Sequence, residues 1–381
     1  MQIDVAILGA GASGLCCAIG CGRRGRSVLL VDHGTKIARK VLAAGGGRAN
    51  CTNSAIGPSD YVCGNPHFVK SALARLSPGE FLDWIHGGGV ATREEDGGKH
   101  FCVDGAARLA RFLESEAAAV GARFMTGATI REARRDGDVF VVETSAGPVR
   151  AQSLVLALGG LSWPGLGATD LGHVLAGRFG LAVTPLRPGL TPLAAGADMA
   201  AFCRELSGLS LPVVIRGAGE AAGSLLFTHK GVSGPAVLDA SLFWRSGPLA
   251  IDFLPGLDVE AALAETPRLE AKNALARLLP KRLALALAEK LSLAGPVAGL
   301  SPRARRALAD GLAAFPFTPA RAEGYAKAEV TVGGVDTAGV SSKTLEARHV
   351  PGLHVVGELL DVTGRLDRKS TRLNSSHGYI S

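Results

Sequence analysis

The stretch Val5-Ala6-Ile7-Leu8-Gly9-Ala10-Gly11-Ala12-Ser13-Gly14 decides the fold, because an apolar strand runs into three glycines spaced to open a helix. The first glycine permits a tight turn, the second leaves bare backbone for a pyrophosphate, and the third lets helix and strand approach closely. Phosphates then rest on the helix N-terminus. Working outward, residues 12–24 carry helical spacing, and residues 27–31 form a second apolar strand that ends on Asp32. A carboxylate there, about twenty residues past the glycines, accepts the hydroxyls of a ribose. Strand, helix and strand make one βαβ unit and predict an α/β fold with a parallel sheet.

That fingerprint serves NAD and FAD alike. An extended FAD also lies across the sheet and requires close backbone approach at later strands. Two such strands are present: Leu154-Val155-Leu156-Ala157-Leu158-Gly159-Gly160, and Leu353-His354-Val355-Val356-Gly357-Glu358, whose acid is placed to bind ribityl hydroxyls. Three glycine-lined tips in this order predict FAD along one crevice. Between the first two lies Ala44-Gly45-Gly46-Gly47-Arg48-Ala49-Asn50-Cys51-Thr52-Asn53. Bare N–H groups at Gly46 and Gly47, together with Arg48, suit a nest for an anion, and Asn50 or Asn53 suits the polar edge of a flavin.

Periodicity sketches the remainder. Helical patterns cover residues 65–85, broken at Ser77-Pro78-Gly79, and residues 106–120. Strands are expected near 124–129, 139–144 and 149–158, a meander that ends in the second glycine tip. Composition shifts near Pro185-Leu186-Arg187-Pro188; strands and glycine turns then alternate over 191–252, and Leu, Ala and Arg dominate at helical spacing over 267–314. Buried-strand character returns at 329–335 and 353–356, and both segments are expected to re-enter the first sheet. The division predicted is an FAD-binding domain over 1–187 and 326–366, interrupted by a β-barrel and helical substrate domain over 188–325. Gly217-Ala218-Gly219 precedes a strand, which makes it a hairpin turn and not a second nucleotide site. Phe227-Thr228-His229-Lys230-Gly231-Val232-Ser233-Gly234-Pro235 reads as a strand end leading into a helix, with His229 and Lys230 the candidate catalytic residues facing the flavin.

Composition narrows the function classes. The chain has 381 residues, 47% of them apolar, enough to bury a sizeable core. Its net charge is +7, but only 5% of residues are aromatic and no basic stripe carries stacking side chains, which argues against nucleic acid as the partner. The seven cysteines include no CxxC pair and no histidines at zinc spacing, so neither a metal nor a disulfide framework is expected. Cys16, Cys17 and Cys21 read as packing residues of the first helix. The chain enters a strand directly after Met1-Gln2-Ile3-Asp4, and no apolar run approaches the roughly 18 residues of a membrane span, so a cytoplasmic protein is expected. From Asp367 onward apolar periodicity stops. Residues 367–381 read as a non-native or disordered tail on a gene truncated at about Leu366, which resequencing the locus tests.

Taken together, these words resemble the BaiN-like family of NAD(P)/FAD-dependent oxidoreductases, also labelled aminoacetone oxidase-like flavoproteins. The matching stretches are residues 9–14, 36–53, 157–172, 225–241 and 330–364. The resemblance implies a Rossmann-like FAD-binding domain of glutathione-reductase type, built from two segments, with an inserted β-barrel plus helical domain. It implies a cofactor set that joins Ala12, Ser13, His33 and Lys40 to Gly9, Gly11, Gly14, Asp32, Gly46, Gly47, Arg48, Asn50, Gly159, Gly160, Gly357 and Glu358. Where the family continues after Thr363-Gly364 into a Gly-Gly-Tyr-Asn segment and a final helix, this chain has Asp367-Arg368-Lys369, which implies weaker FAD binding. The activity implied is an FAD-dependent oxidoreductase with a small-molecule substrate and a flavin reduced by NAD(P)H. Two alternatives stand beside it. One is an amine oxidase using oxygen; the other is an RNA-binding flavoprotein similar to those of tRNA modification, with a basic groove from Lys281, Arg282, Arg303, Arg305 and Arg306.

Overall fold

Val5, Ala6, Ile7 and Leu8 are buried on both faces of Gln2–Leu8 (β1), the pattern of a strand in the middle of a covered parallel sheet. Ala12–Gly22 (α1) follows, and its small residues Cys16, Cys17 and Ala18 are buried. Val28–Asp32 (β2) returns parallel to β1, with Leu8 opposite Val31. These elements come from a computed structural model, which describes residues 2–95 and 97–366. The tail expected over 367–381 lies outside them.

The chain divides into two units, one made of the residues up to Pro188 and from Glu329 onward, the other of Gly189–Ala328. In the first, the sheet runs Arg123–Thr126, β2, β1, Val149–Leu156, with Leu353–Val355 along the far edge, and every one of these pairings is parallel. The beginning of Val149–Leu156 pairs antiparallel with Val139–Thr144, which in turn pairs with Ile130–Asp136.

Two expectations need correction. The strand expected over 124–129 is Arg123–Thr126, which joins β2 and not the meander, and a further strand, Ile130–Asp136, was not expected and takes that place in the meander. Five of the seven residues in Ile130–Asp136 are charged, and a register shift after Ile130 spaces its buried residues, Ile130 and Ala133, three apart instead of two. The alternation that marks a strand is therefore absent from the sequence. Of the two late segments, Leu353–Val355 enters the sheet beside Val149–Leu156, whereas Val330–Val332 pairs outside it.

The interruption at Ser77 falls where expected. Ser77 accepts the Glu80 N–H, and Glu80 returns a bond to the Ser77 N–H, so Pro78–Gly87 starts as a new capped helix.

The second unit holds an antiparallel sheet in the order Phe315–Phe317, Leu249–Asp252, Ser210–Arg216, Glu220–Thr228, Gly231–Ser233, Leu193–Ala195, Pro319–Ala322. Its two outermost strands are joined by Thr318 alone. Two residue steps span about 7 Å at most, so the edges curl back toward each other, as in a barrel. Phe227, Phe317, Leu225 and Ile251 fill its core. Helices Ala271–Leu278, Lys281–Lys290 and Pro302–Ala313 add Leu275, Leu283, Leu287 and Leu312 to the same cluster. Among the described residues no helix is long and apolar enough to cross a membrane, and no group of acidic, histidine and cysteine side chains gathers to hold a metal.

Candidate functional site

Parallel register lines up the strand ends of the first unit. Leu8 lies opposite both Val31 and Leu156, and Leu156 lies opposite Val355. Backbone bonds continue past the strands: Gly9 N–H to Val31, Ala157 N–H to Leu8 and Val356 N–H to Leu156, at 2.8, 2.8 and 3.0 Å. The three glycine tips therefore stand side by side along the carboxyl edge of one sheet, the edge where open α/β sheets bind ligands.

At the first tip the backbone has no room for side chains. Gly9 has φ +104°, and a Cβ there would come 2.5 Å from the Ala157 carbonyl oxygen; one on Gly14 would collide with the Gly9 carbonyl. Gly11 instead faces open space. No side chain caps α1, and its first turn carries no acid. Asp32 shapes the approach: its Oδ2 accepts the Ala10 N–H at 2.8 Å, and its Oδ1 accepts the Gly34 N–H at 2.7 Å and Arg39 at 3.3 Å. A carboxylate has about four acceptor sites, so about one remains for a hydroxyl. His33 meets Arg39 at 3.1 Å.

The third tip is a network. Lys40 Nζ donates to Ser162 Oγ at 2.9 Å and to Glu358 Oε2 at 3.0 Å, while Glu358 Oε1 accepts Ser162 Oγ at 3.1 Å and the Thr331 N–H at 2.9 Å. Thr331 Oγ1 accepts the N–H groups of Leu161 and Ser162 at 2.7 and 3.2 Å. Gly160 is obligatory beside them, because a Cβ would lie 2.5 Å from Thr331 Oγ1 and 2.9 Å from Glu358 Oε1. Gly159, at φ +75°, has open space where a Cβ would stand. His173, on Leu171–Arg178, is 5% exposed, and neither ring nitrogen has a partner among the described residues. Burial pushes its pKa down, against the charges of Glu358 and Asp170. Asp170 precedes that helix without capping it.

The glycine loop lies on a small sheet of Asn50–Asn53, Lys99–Cys102 and Thr92–Glu95. Gly46 and Gly47 have φ +65° and +86° with open space at Cβ. Arg48 stacks 4.2 Å from the Phe101 ring centroid and pairs with Glu95 at 2.6 Å. Asn50 begins its strand, while Asn53 bonds Gly97 and Ala55, which makes it a loop tie. In the second unit, His229 and Lys230 are the exposed turn of a hairpin between Glu220–Thr228 and Gly231–Ser233, and the helix begins only at Pro235.

Sequence reasoning missed Arg39, Ser162, Thr331 and His173. Ser162 carried a weak signal, two residues past the Gly159-Gly160 tip; the others carried none by spacing. Glycines that a Cβ would not fit, an uncapped helix start and a row of aligned strand ends fit an extended dinucleotide with a diphosphate near Gly11.

A parallel sheet with these tips defines the class, an FAD-dependent oxidoreductase. The chain belongs to the HI0933-like family, since the family described as HI0933-like protein Rossmann domain matches residues 3–367. It is 41% identical over 377 residues to a ribosomal RNA dihydrouridine synthase of Escherichia coli (strain K12), covering 96% of this chain and 93% of that protein. A Haemophilus influenzae protein of the same name is 41% identical over 372 residues, covering 94% and 92%. A 3-dehydro-bile acid delta(4,6)-reductase of Clostridium scindens is 28% identical over 402 residues, covering 99% and 97%.

Proposed function

We propose that this chain is an FAD-dependent reductase of ring carbon–carbon double bonds conjugated to a carbonyl, that a uracil base of ribosomal RNA is its substrate, and that NAD(P)H is its electron donor. The observation that carries the reading is the 41% identity, over 96% of the chain, with a ribosomal RNA dihydrouridine synthase. The more distant bile acid reductase supports the shared chemistry, because both names denote saturation of a ring double bond.

When bound, FAD would supply the two-electron reducing equivalent for the double bond, with the carbon α to the carbonyl left to take a proton. The chain's own residues bind and orient. Gly9, Gly11, Ala12, Ser13 and Gly14 offer backbone to the diphosphate, with Asp32 and His33 at the adenosine end. Gly46, Gly47, Arg48 and Asn50 border the middle of the cofactor, and Gly159, Gly160, Gly357 and Glu358 its ribityl side. Lys40 spends two donors on Ser162 and Glu358, which leaves a third N–H for a cofactor oxygen. His229 is the candidate proton donor to the α carbon, with Lys230 beside it. A His229→Ala protein should keep its FAD and lose turnover; unchanged turnover would retire that role.

Part of the basic set named from the sequence supports an RNA substrate. Lys281 and Arg303 are exposed and Arg305 half-buried, whereas Arg282 is tied to the Glu205 and Ser207 carbonyls and Arg306 pairs with Glu260 and Asp310. Binding through such residues weakens steeply with salt. The deciding experiment gives purified protein, NADPH and ribosomal RNA from a deletion strain under anaerobic conditions, with mass mapping of the RNA. Dihydrouridine at a defined position supports the reading. RNA left unaltered, while a small cyclic enone re-oxidises the flavin, would move the substrate to small molecules.

A further inference from the structure

Two cysteines outside the cofactor tips stand in contact. Cys51, on Asn50–Asn53, and Cys102, at the end of Lys99–Cys102, bring their Sγ atoms to 3.1 Å across antiparallel strands whose register shifts between Asn50 and Thr52. They are 1% and 4% exposed. Both are fastened to the glycine loop above them. The Cys102 N–H donates to the Arg48 and Ala49 carbonyls at 3.1 and 3.3 Å, and Cys51 Sγ faces the Ala49 carbonyl at 3.6 Å.

Their environments are unequal. Either sulfur can donate across the contact; with Cys51 as donor the bond holds the Cys102 thiol below its ordinary range, and the Leu109 N–H in the first turns of Ala106–Ala119 acts in the same direction. Cys51 is pushed up correspondingly by that bond and by burial. Two thiols in such unequal surroundings suit a nucleophile and a resolving thiol in one cage. Elsewhere burial dominates: it pushes Cys16 up to about 12 and Cys203 up to about 11.

We propose that Cys51 and Cys102 are a redox dithiol that hydroperoxides convert to a disulfide, clamping the glycine loop of residues 44–49 onto the strands beneath it. The Cys102 thiolate attacks one peroxide oxygen, the O–O bond breaks, and hydroxide leaves as water with a proton, giving a sulfenic acid. Cys51, losing its proton, then attacks the Cys102 sulfur; the S–O bond breaks and a second water departs. Two electrons pass from the two sulfurs to the peroxide, and two thiols plus hydrogen peroxide become one disulfide plus two waters. The sulfurs need to close from 3.1 Å to about 2.05 Å, a motion of roughly 1 Å. Hydrogen peroxide is little larger than water, and residues 45–48 above the pair are exposed. The disulfide does not depend on the substrate reading; its effect on FAD rests on the loop belonging to the cofactor site.

The test treats the full-length holoenzyme with hydrogen peroxide, quenches it, alkylates free thiols in denaturant and maps the peptides. A linked Cys51–Cys102 peptide is expected, with Cys203 still alkylated. It should vanish in Cys51→Ser, where dimedone traps a sulfenic acid at Cys102, and vanish in Cys102→Ser without such an adduct. Alkylation of both cysteines to the same extent as Cys203, or sulfinic acid at Cys102 with Cys51 free, overturns the pair. Release of FAD on dilution should slow several-fold after oxidation of the wild type only; a linked peptide with unchanged release overturns the clamp.

Discussion

Two carboxylates mark the ends of the proposed cofactor site, and they are built in opposite ways. Asp32 takes its partners from Ala10, Gly34 and Arg39, all within the first forty residues, in or just after the βαβ unit. Glu358 takes its partners from Lys40, Ser162 and Thr331, the first of them 318 residues away in sequence. The first cradle exists once a short local unit forms. The second exists only when the whole cofactor unit has closed, because its members arrive on separate segments. Loss of the Asp32 carboxylate should therefore act mainly on the cofactor, and loss of the Glu358 carboxylate on folding and cofactor together.

The largest expected effect would break the local cradle outright. Gly14→Val drives a branched side chain into the Gly9 carbonyl, where the backbone cannot yield. A cost of about 3 kcal/mol or more is expected from overpacking, seen as colourless protein with a lower denaturant midpoint. Normal flavin absorbance in that variant would mean that α1 and β1 do not need close approach.

Next comes Glu358→Ala, which strands Lys40, Ser162 and the Thr331 N–H. Glu358 is 11% exposed and Lys40 35%, so the loss lies below that of a fully buried pair, about 2 kcal/mol by urea unfolding. Glu358→Gln keeps acceptor oxygen and should cost less. Equal losses in the two variants would show that charge, and not hydrogen bonding, holds the third tip.

Acid should sharpen the contrast further. Burial holds the pKa of His173 and His354 below the ordinary 6.5. The unfolded chain then takes up protons near that pH while the folded chain does not, so stability is full above it and falls as pH drops toward the folded values. The slope is about 1.4 kcal/mol per pH unit for each histidine. Melting temperatures from about pH 7.5 to 5.5 measure it, and His173→Phe should flatten the slope by one proton; an unchanged slope excludes His173.

The smallest effect on stability is expected from Asp32→Asn. One backbone N–H would face an amide NH2, at about 1 kcal/mol, while affinity for FAD falls about tenfold in equilibrium titration. A stability loss matching that of Glu358→Ala would erase the distinction between the two ends.

The same division separates what could be read from the sequence and what could not. Gly9, Gly11, Gly14 and Asp32 were legible because each answers a local demand of backbone geometry, and residues 154–160 and 353–358 were legible as apolar strands ending in glycine. Ile130–Asp136 was not, since a bulge and five charges hide its period. Lys40 came from family resemblance alone, and the reason for it, a bond across 318 residues, has no trace in spacing. Arg48 was legible as a loop cation, but not its pairing with Glu95 and its stacking on Phe101. His229 and Lys230 looked like a strand end because this two-residue hairpin loop lacks the Asn, Asp or Gly that usually marks one.

The curled sheet of the second unit carries one more consequence. Leu193 pairs with Ala322, and the Glu323 N–H bonds the Pro192 carbonyl at 3.0 Å, so the chain enters and leaves this unit on adjacent antiparallel strands about 5 Å apart. A cassette whose two ends meet can be exchanged for another through cuts after Pro188 and before Glu329, with joints no longer than a tight turn. Chimeras between relatives would test whether this unit sets the substrate range.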